Sequence, residues 1–491
     1  MTIKRLVPVL MGCLSLVGVA GASSDKIDPL VSARFGRGNE VSVTILCRSQ
    51  LLDSPGGFAR FCAENAARKR SELRTDVVGR LKALAANGEQ EAVLKSIGDV
   101  AVDRHWIVNA LTAELSPRTI EKIAALDEVK YIYVGFSPVT APGAGRISEV
   151  IRPPKREPFR IGDRTVPWNL KGIGVPRVWE KKDNFGDGIV VAMLEHGVDY
   201  THPDLRNNLW VNAGEKPNNG KDDDGNGLID DYYGYNFRTG SCEVRATTAQ
   251  QHHGTMTAGI VAGDGTGGTI TGVAPRARLM LLSGSGVYAF QYALEQGADV
   301  LNMSFSIPYL GNGRGLWRLM AEHTVCAGLV LVSGCGNFQQ KAEIPVQIRI
   351  PEGIPCIIGA GGVDQEMKVP SFCSLGPVEW ASVKFYGDYP LPEGLVKPDV
   401  CAFPGAGYPL LGDAGEDYIN NRRGNSFSSP HVVGVAALML SAAPELPAWR
   451  IRELLEETAN DLPPRGKDPR TGAGLVDAWA AVSAAEAAAH R

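Results

Sequence analysis

The 491-residue sequence lacks a charge excess: 50 Lys and Arg stand against 54 Asp and Glu, a net of −4. A nucleic-acid surface needs clustered positive charge, and the composition gives no reason to expect that partner. After the first 25 residues no apolar run is long enough to span a bilayer, so no membrane span is expected. No internal repeat or low-complexity tract stands out beyond an Ala-rich tail at 484–489, which leaves ordinary globular domains. Cysteine is sparse, with nine in all. Hydrophobic content of 44% and charged content of 21% are ordinary for a chain of two or three domains.

The N-terminus reads as a secretory signal peptide over residues 1–22. Lys4 and Arg5 precede an apolar stretch from Leu6 to Val19, and Ala20-Gly21-Ala22 suits cleavage. A lipoprotein-type site before Cys13 fits less well, because the apolar run continues past it. Export makes the protein secreted or cell-envelope and makes disulfides plausible for Cys47, Cys62, Cys242, Cys326, Cys335, Cys356, Cys373 and Cys401. One specific pair, Cys47–Cys62, is expected; small buried thiols are the alternative.

Residues 23–140 read as a separate α+β unit. "EVSVTILC" alternates like a strand, 57–87 is helical, and "RHWIVNALTAEL" is extended. Ser116 and Pro117 open a helix, and "VKYIYVGF" closes as a strand. Residues 141–164, rich in Pro, Gly and Arg, read as an exposed linker. From 165 to 491 the pattern changes to short, continuously apolar strands ("GIVVAML", "LMLLS", "DVLNMSF", "GLVLVSG", "IPCIIGA") between helical stretches. Strands buried on both faces and alternating with helices predict an α/β fold with a doubly wound parallel sheet.

Three segments fall at strand ends or helix starts: "LEHG" with Glu195, "QHHGTMTAG" with His253, and "RGNSFSSPHVVG" with Ser426. A carboxylate, a histidine and a serine in that chain order form one known order of a hydrolytic triad. Serine needs a base within hydrogen-bond reach, and the base needs a third group to hold its tautomer.

Here the chain resembles the subtilisin family (subtilases, peptidase family S8) of serine peptidases. The family motif His-Gly-Thr-His-x-Ala-Gly is matched by His253–Gly259, with Met256 in place of the second histidine. Gly-Thr-Ser-Met-x-x-Pro-His-Val-x-Gly is matched by Gly424–Gly434, with Asn425 and Phe427 beside the serine. "VLVSGCGN" ends in Asn337 like the oxyanion segment. "GVAP" at 272–275, "NMS" at 302–304, "KPDV" at 397–400 and "GAGLVDAWAAV" at 472–482 also fit. The resemblance covers about residues 165–483 and implies a serine endopeptidase that hydrolyses peptide bonds through an acyl-enzyme. Ser426 would be the nucleophile, His253 the base and Asn337 the oxyanion donor, a kind of contact worth about 3–4 kcal/mol of barrier. The leading unit would be an inhibitory propeptide. Ser304, Phe305 and Ser306 would line the substrate cleft, with Ile307 and Pro308 narrowing its first pocket. His202, His252 and His431 read as packing and local hydrogen-bond residues. A monomer acting on protein or peptide substrate is expected.

The departure is at the acid. Glu195 stands where the family has Asp, with Asp199 a less suitable substitute in the following loop. Glu keeps the charge but moves its carboxylate by roughly 1 Å or more, and errors of that size can cost about 100-fold. A working Glu-His-Ser triad and a weakened or inactive, peptide-binding homologue are both open readings. Sedolisin-like chemistry is disfavoured by His253, and an esterase by the absence of Gly-x-Ser-x-Gly. A second site is "NNGKDDDGNGLIDD", where Asp222, Asp224, Asn226 and Asp230 alternate oxygen ligands as an EF-hand loop begins. The terminal Glu is missing, and Tyr233 stands in its place. Structural Ca²⁺ is expected there, with Asp204 in a further family calcium position.

Overall fold

The structure is a computed structural model that describes residues 25–37, 39–136, 145–246, 248, 252–284, 286–412 and 418–490. The expected signal peptide at 1–22 lies outside the described residues, as do positions 141–144 of the expected linker.

The leading unit is a four-stranded antiparallel sheet of β1 (Val41–Cys47), β2 (Val102–His105), β3 (Ala110–Leu115) and β4 (Val129–Val134), in the order β2-β3-β1-β4. The stretch read as one extended segment, 104–115, is instead a hairpin, with His105 opposite Ala110. Asn109 turns the chain at φ 33°, a region that Asn tolerates. Ser116 caps the helix Pro117–Ala124 as foreseen, its Oγ accepting from Thr119 N–H at 3.2 Å. The helix Glu89–Ile97 was not foreseen.

One face of this sheet makes its own core, with Val41, Val43 and Ile45 against Val93, Ile120 and Ile123. The other face, carrying Leu46, Tyr131 and Tyr133, belongs to the core of the large unit. Polar contacts lock that junction: Trp106 N–H donates to Gln291 at 2.9 Å, Tyr288 OH to Asp103 at 2.6 Å, and Arg70 pairs with Asp299 at 2.7 Å.

The large unit holds a seven-stranded parallel sheet. Its strands are β5 (Val190–Leu194), β6 (Gly234–Asn236), β7 (Arg278–Ser283), β8 (Val300–Met303), β9 (Val330–Gly334), β10 (Ile358–Gly362) and β11 (Val400–Ala402). The order is β11-β10-β9-β8-β5-β7-β6. The fold expectation holds: this is α/β with flanking helices and a small leading domain. Strands β6 and β11 have three residues each, too short to stand out as apolar runs. β5 pairs with both β7 and β8, so the strand order reverses beside it. The carboxyl end of β5 therefore opens on the crevice where α/β folds place ligands.

One expectation is corrected and one is refined. All eight described cysteines are free thiols, so the Cys47–Cys62 pair is not made; seven of them are buried as small apolar groups. The described part of the expected linker, 145–164, is mostly exposed but is anchored at two points. Ile147 and Ile151 are 2% and 5% exposed, and Ile147 N–H donates to Asn218 at 2.8 Å. Among the described residues no helix is long and apolar enough to cross a membrane.

Candidate active site

Glu195 leaves the end of β5 and is buried. The helix His252–Ala262 starts against it, and glycine is required at the contact. A Cβ on Gly254 would meet Gly197 O at 2.1 Å and Glu195 Cβ at 3.0 Å. This close approach brings His253 Nδ1 to 3.0 Å from Glu195 Oε2. The other oxygen, Oε1, accepts from Thr257 Oγ1 at 3.0 Å. With Nδ1–H donating to the carboxylate, Nε2 is left as the basic nitrogen. Burial lowers the His253 pKa, but the Glu195 charge and hydrogen bond raise it more, and the net displacement is upward. The His253 side chain keeps 36% exposure against 4% for Glu195, so the base is open to solvent and the acid is not.

Thr257 escaped the sequence reading. It occupies the variable position of the histidine motif, yet at four residues after His253 it shares a helix face with it, which was the available signal. Asp199, the weaker substitute, is bound elsewhere: its carboxylate pairs with Arg245 at 3.1 Å and accepts from Thr201. Met256, in the motif's histidine position, is buried in the core.

Ser426 stands in the first turn of the helix Asn425–Ala442, whose amino end favours developing negative charge. Its Oγ donates to Ser304 O at 3.3 Å, and Ser304 Oγ donates back to Ser426 O at 3.0 Å. No hydrogen bond joins Ser426 to His253. The Phe427 ring packs on His253 at 5.8 Å between centroids. Asn337 Oδ1 accepts from Asn425 N–H at 2.8 Å, which leaves its Nδ2 as a free donor on the side of Gly424. Asn302, also unforeseen, braces the site by accepting from Ser429 at 2.7 Å and donating to Ser304 at 3.1 Å. His431 is structural, between Asn169 and Phe427 O, and burial lowers its pKa to about 4. His202 caps the turn Pro203–Arg206, and His252 is buried.

A cavity of about 540 Å³ contains Glu195 and His196 and is lined by Phe305, Ser306 and Ile307. Two of the three expected substrate-lining residues thus lie in it, while Ser304 contacts the nucleophile directly. Phe136 of the leading unit also lines this cavity.

The acidic loop brings together Glu215, Asp222 and Asp224, whose ligand oxygens lie within 4.8 Å of one another. Glu215 was missed; it precedes Asp222 by seven residues and lies outside the motif. Its Oε2 is buried without a hydrogen-bond partner, a vacancy that fits a hard cation. Asn226 donates to Asp224 at 3.1 Å, beside the cluster. Asp230 does not join: its oxygens accept from Asn219 and Gly220 N–H. Asp204, expected at a separate calcium position, lies against the 263–271 loop, where it accepts from Gly267 N–H and Tyr418 OH. Protein donors do not by themselves set these carboxylates apart, because Asp222 also accepts from Gly225 and Gly227 N–H and Asp224 from Asn212 and Asn226; Asp230 is set apart by position. Tyr233 donates instead to Ile151 O at 2.6 Å.

The sequence model of the Subtilase family matches residues 186–474, more than half of the chain. The chain belongs to the subtilase family. Fervidolysin from Fervidobacterium pennivorans is 31% identical over 338 residues, covering 64% of this chain and 43% of that protein. Subtilisin DY from Bacillus licheniformis is 28% identical over 334 residues, covering 65% of this chain and 99% of that one. The crystal structure of fervidolysin, described as a keratinolytic enzyme related to subtilisin, superposes with a TM-score of 0.55 at 20% identity. It covers 92% of this chain and 62% of that one, and it supports the fold. The chain spans about half the length of the first curated relatives it matches.

Proposed function

We propose that this subtilase is an exported serine endopeptidase working through a Glu195–His253–Ser426 triad. The observation that carries the reading is the doubly held acid: Glu195 bonds His253 with one oxygen and Thr257 with the other, both at 3.0 Å. An acid lengthened by one methylene is thus matched by its surroundings. In the reaction His253 takes the Ser426 proton as the hydroxyl attacks the peptide carbonyl, and Glu195 stabilises the imidazolium. Asn337 Nδ2 and the Ser426 N–H receive the oxyanion. His253 then protonates the leaving amine, and water repeats the cycle on the acyl-enzyme. Before attack, Ser426 exchanges its bond to Ser304 O for one to His253, a tightening expected on substrate binding.

Residues 1–22 are a signal peptide in this reading, 23–140 an inhibitory propeptide, and 141–164 the processing segment ahead of the peptidase domain at 165–491. The product is a secreted or cell-envelope monomer acting on protein or peptide substrate. The propeptide role is supported by Phe136, which reaches the cavity beside Glu195. Glu215, Asp222 and Asp224 would hold a structural Ca²⁺ by charge and oxygen ligation. That ion would tie the loop and take no part in the chemistry.

A second reading, an inactive homologue that binds peptide, rests on the Ser426–Ser304 bond in place of a serine–histidine bond. Fluorophosphonate labelling of matured protein separates the two. The first reading predicts label on Ser426 that Ser426→Ala abolishes, with activity down on the order of 10⁶-fold as in subtilisin. Folded, propeptide-free protein that takes no label supports the second.

A further inference from the structure

Glu352 has no place in the chemistry above. It is fully buried (0% exposed), and it makes no ion pair with any described residue. Its Oε1 accepts from Ser306 Oγ at 2.6 Å and from Arg349 N–H at 3.1 Å. Its Oε2 is buried with no hydrogen-bond partner. Leaving a carboxylate oxygen unpartnered in a dry site is costly, and such groups call for an explanation. Arg349 does not pair with it, because its guanidinium stacks on Phe338 at 3.6 Å from the ring centre. Burial pushes the Glu352 carboxyl up to about 7, against lowering by its hydrogen bonds and by Arg349.

The position gives the carboxylate a use. Ser304 is bonded to the nucleophile's own residue, and Ser306 lines the cavity that contains Glu195. Ser306 follows Ser304 by two residues, at most about 7 Å of extended chain, a separation that a Lys or Arg side chain can bridge. Ile307 N–H donates to Ile350 O at 2.6 Å, clamping the segment that carries Ser306 to the one that leads to Glu352. The Ser306 hydroxyl spends its proton on Glu352, so its lone pairs remain to accept from a cationic donor in the cleft.

We propose that the Ser306–Glu352 pair sets specificity, selecting substrates with Lys or Arg on the acyl side of the scissile bond. This rests on the peptidase reading. The chain carries such a residue at a suitable place. Arg146 is the sole Lys or Arg between Lys130 and Arg152, and Arg152 is followed by Pro153. Arg146 is exposed, while the next residue, Ile147, is buried and pinned to Asn218 as an anchored new N-terminus would be. Self-processing is therefore assigned to the Arg146–Ile147 bond.

The test uses the full chain, allowed to mature, counted by fluorophosphonate titration, and assayed on peptides differing only at the acyl-side residue (Arg, Lys, Leu, Phe, Glu). The expected result is kcat/KM for Arg or Lys about 100-fold above Leu or Phe, with Ile147 as the mature N-terminus. Glu352→Gln, which keeps the size and removes the charge, is expected to bring that ratio within tenfold, and Ser306→Ala to reduce it. A preference for Leu or Phe in the wild type, or a ratio unchanged in Glu352→Gln, overturns the assignment. Absence of fluorophosphonate label instead overturns the peptidase reading, and this assignment falls with it.

Discussion

The two halves of the candidate site are built differently. The acid–base half is closed: Glu195 is buried, both its oxygens are bonded, and Gly254 admits the helix to the end of β5 at van der Waals limits. The nucleophile half is open, with Ser426 bonded to Ser304 O and Asn337 Nδ2 left free. The difference separates what must be preorganised from what substrate can set. A carboxylate that holds a tautomer has to be fixed before reaction, because moving it costs solvation and geometry. A serine hydroxyl turns about one bond when a carbonyl arrives.

The strongest way to break the contrast is to remove the charge from the closed half. Glu195→Gln is expected to lower kcat by about 10⁴-fold, because the amide no longer fixes the tautomer or stabilises the imidazolium. Steady-state kinetics on a peptide substrate check it. A milder cut is Glu195→Asp. The surroundings hold a glutamate on two sides, so shortening it is expected to cost about 10–100-fold in kcat, not to restore a better triad. A rise in activity would mean that the extra methylene is a handicap. Thr257→Val removes only the second bond to Glu195 and is expected to lower kcat about tenfold with KM little changed.

The smallest expected effect on chemistry is at the acidic loop, away from both halves. Chelating Ca²⁺ is expected to lower the unfolding midpoint by about 5–10 °C, the shift from losing a ligand held at about 100 times its Kd. Calorimetry with and without chelator reads this directly. Glu215→Gln should abolish the calcium-dependent part of the shift.

The sheet was legible because its strands are apolar on both faces, and the triad positions because three glycine-flanked segments fall at element ends. The hidden parts depend on contacts between distant segments. Thr257 matters only because Glu195 arrives beside it from β5. Glu215 matters only when the loop folds back onto Asp222 and Asp224. Asp230 continues the alternation of Asp222 and Asp224 in sequence, but it turns away to accept from Asn219 and Gly220 N–H, which spacing does not record. Composition marks 141–164 as a linker, and 145–164 is mostly exposed, but it gives no sign that Ile147 and Ile151 find apolar cover in the large unit. Glu352, in a proline-rich stretch, gave no motif at all.

The most direct test of the Glu195–His253 pairing is the pH dependence of fluorophosphonate labelling at Ser426. His253 acts as a base only when neutral, and the Glu195 contact raises its pKa above the ordinary 6.5. The labelling rate of matured wild type is therefore expected to rise with pH through a midpoint above that of an ordinary histidine. In Glu195→Gln that midpoint should move to lower pH while the maximum rate falls steeply. Identical pH profiles and rates in the two proteins, or no labelling of the wild type at any pH, would contradict the account.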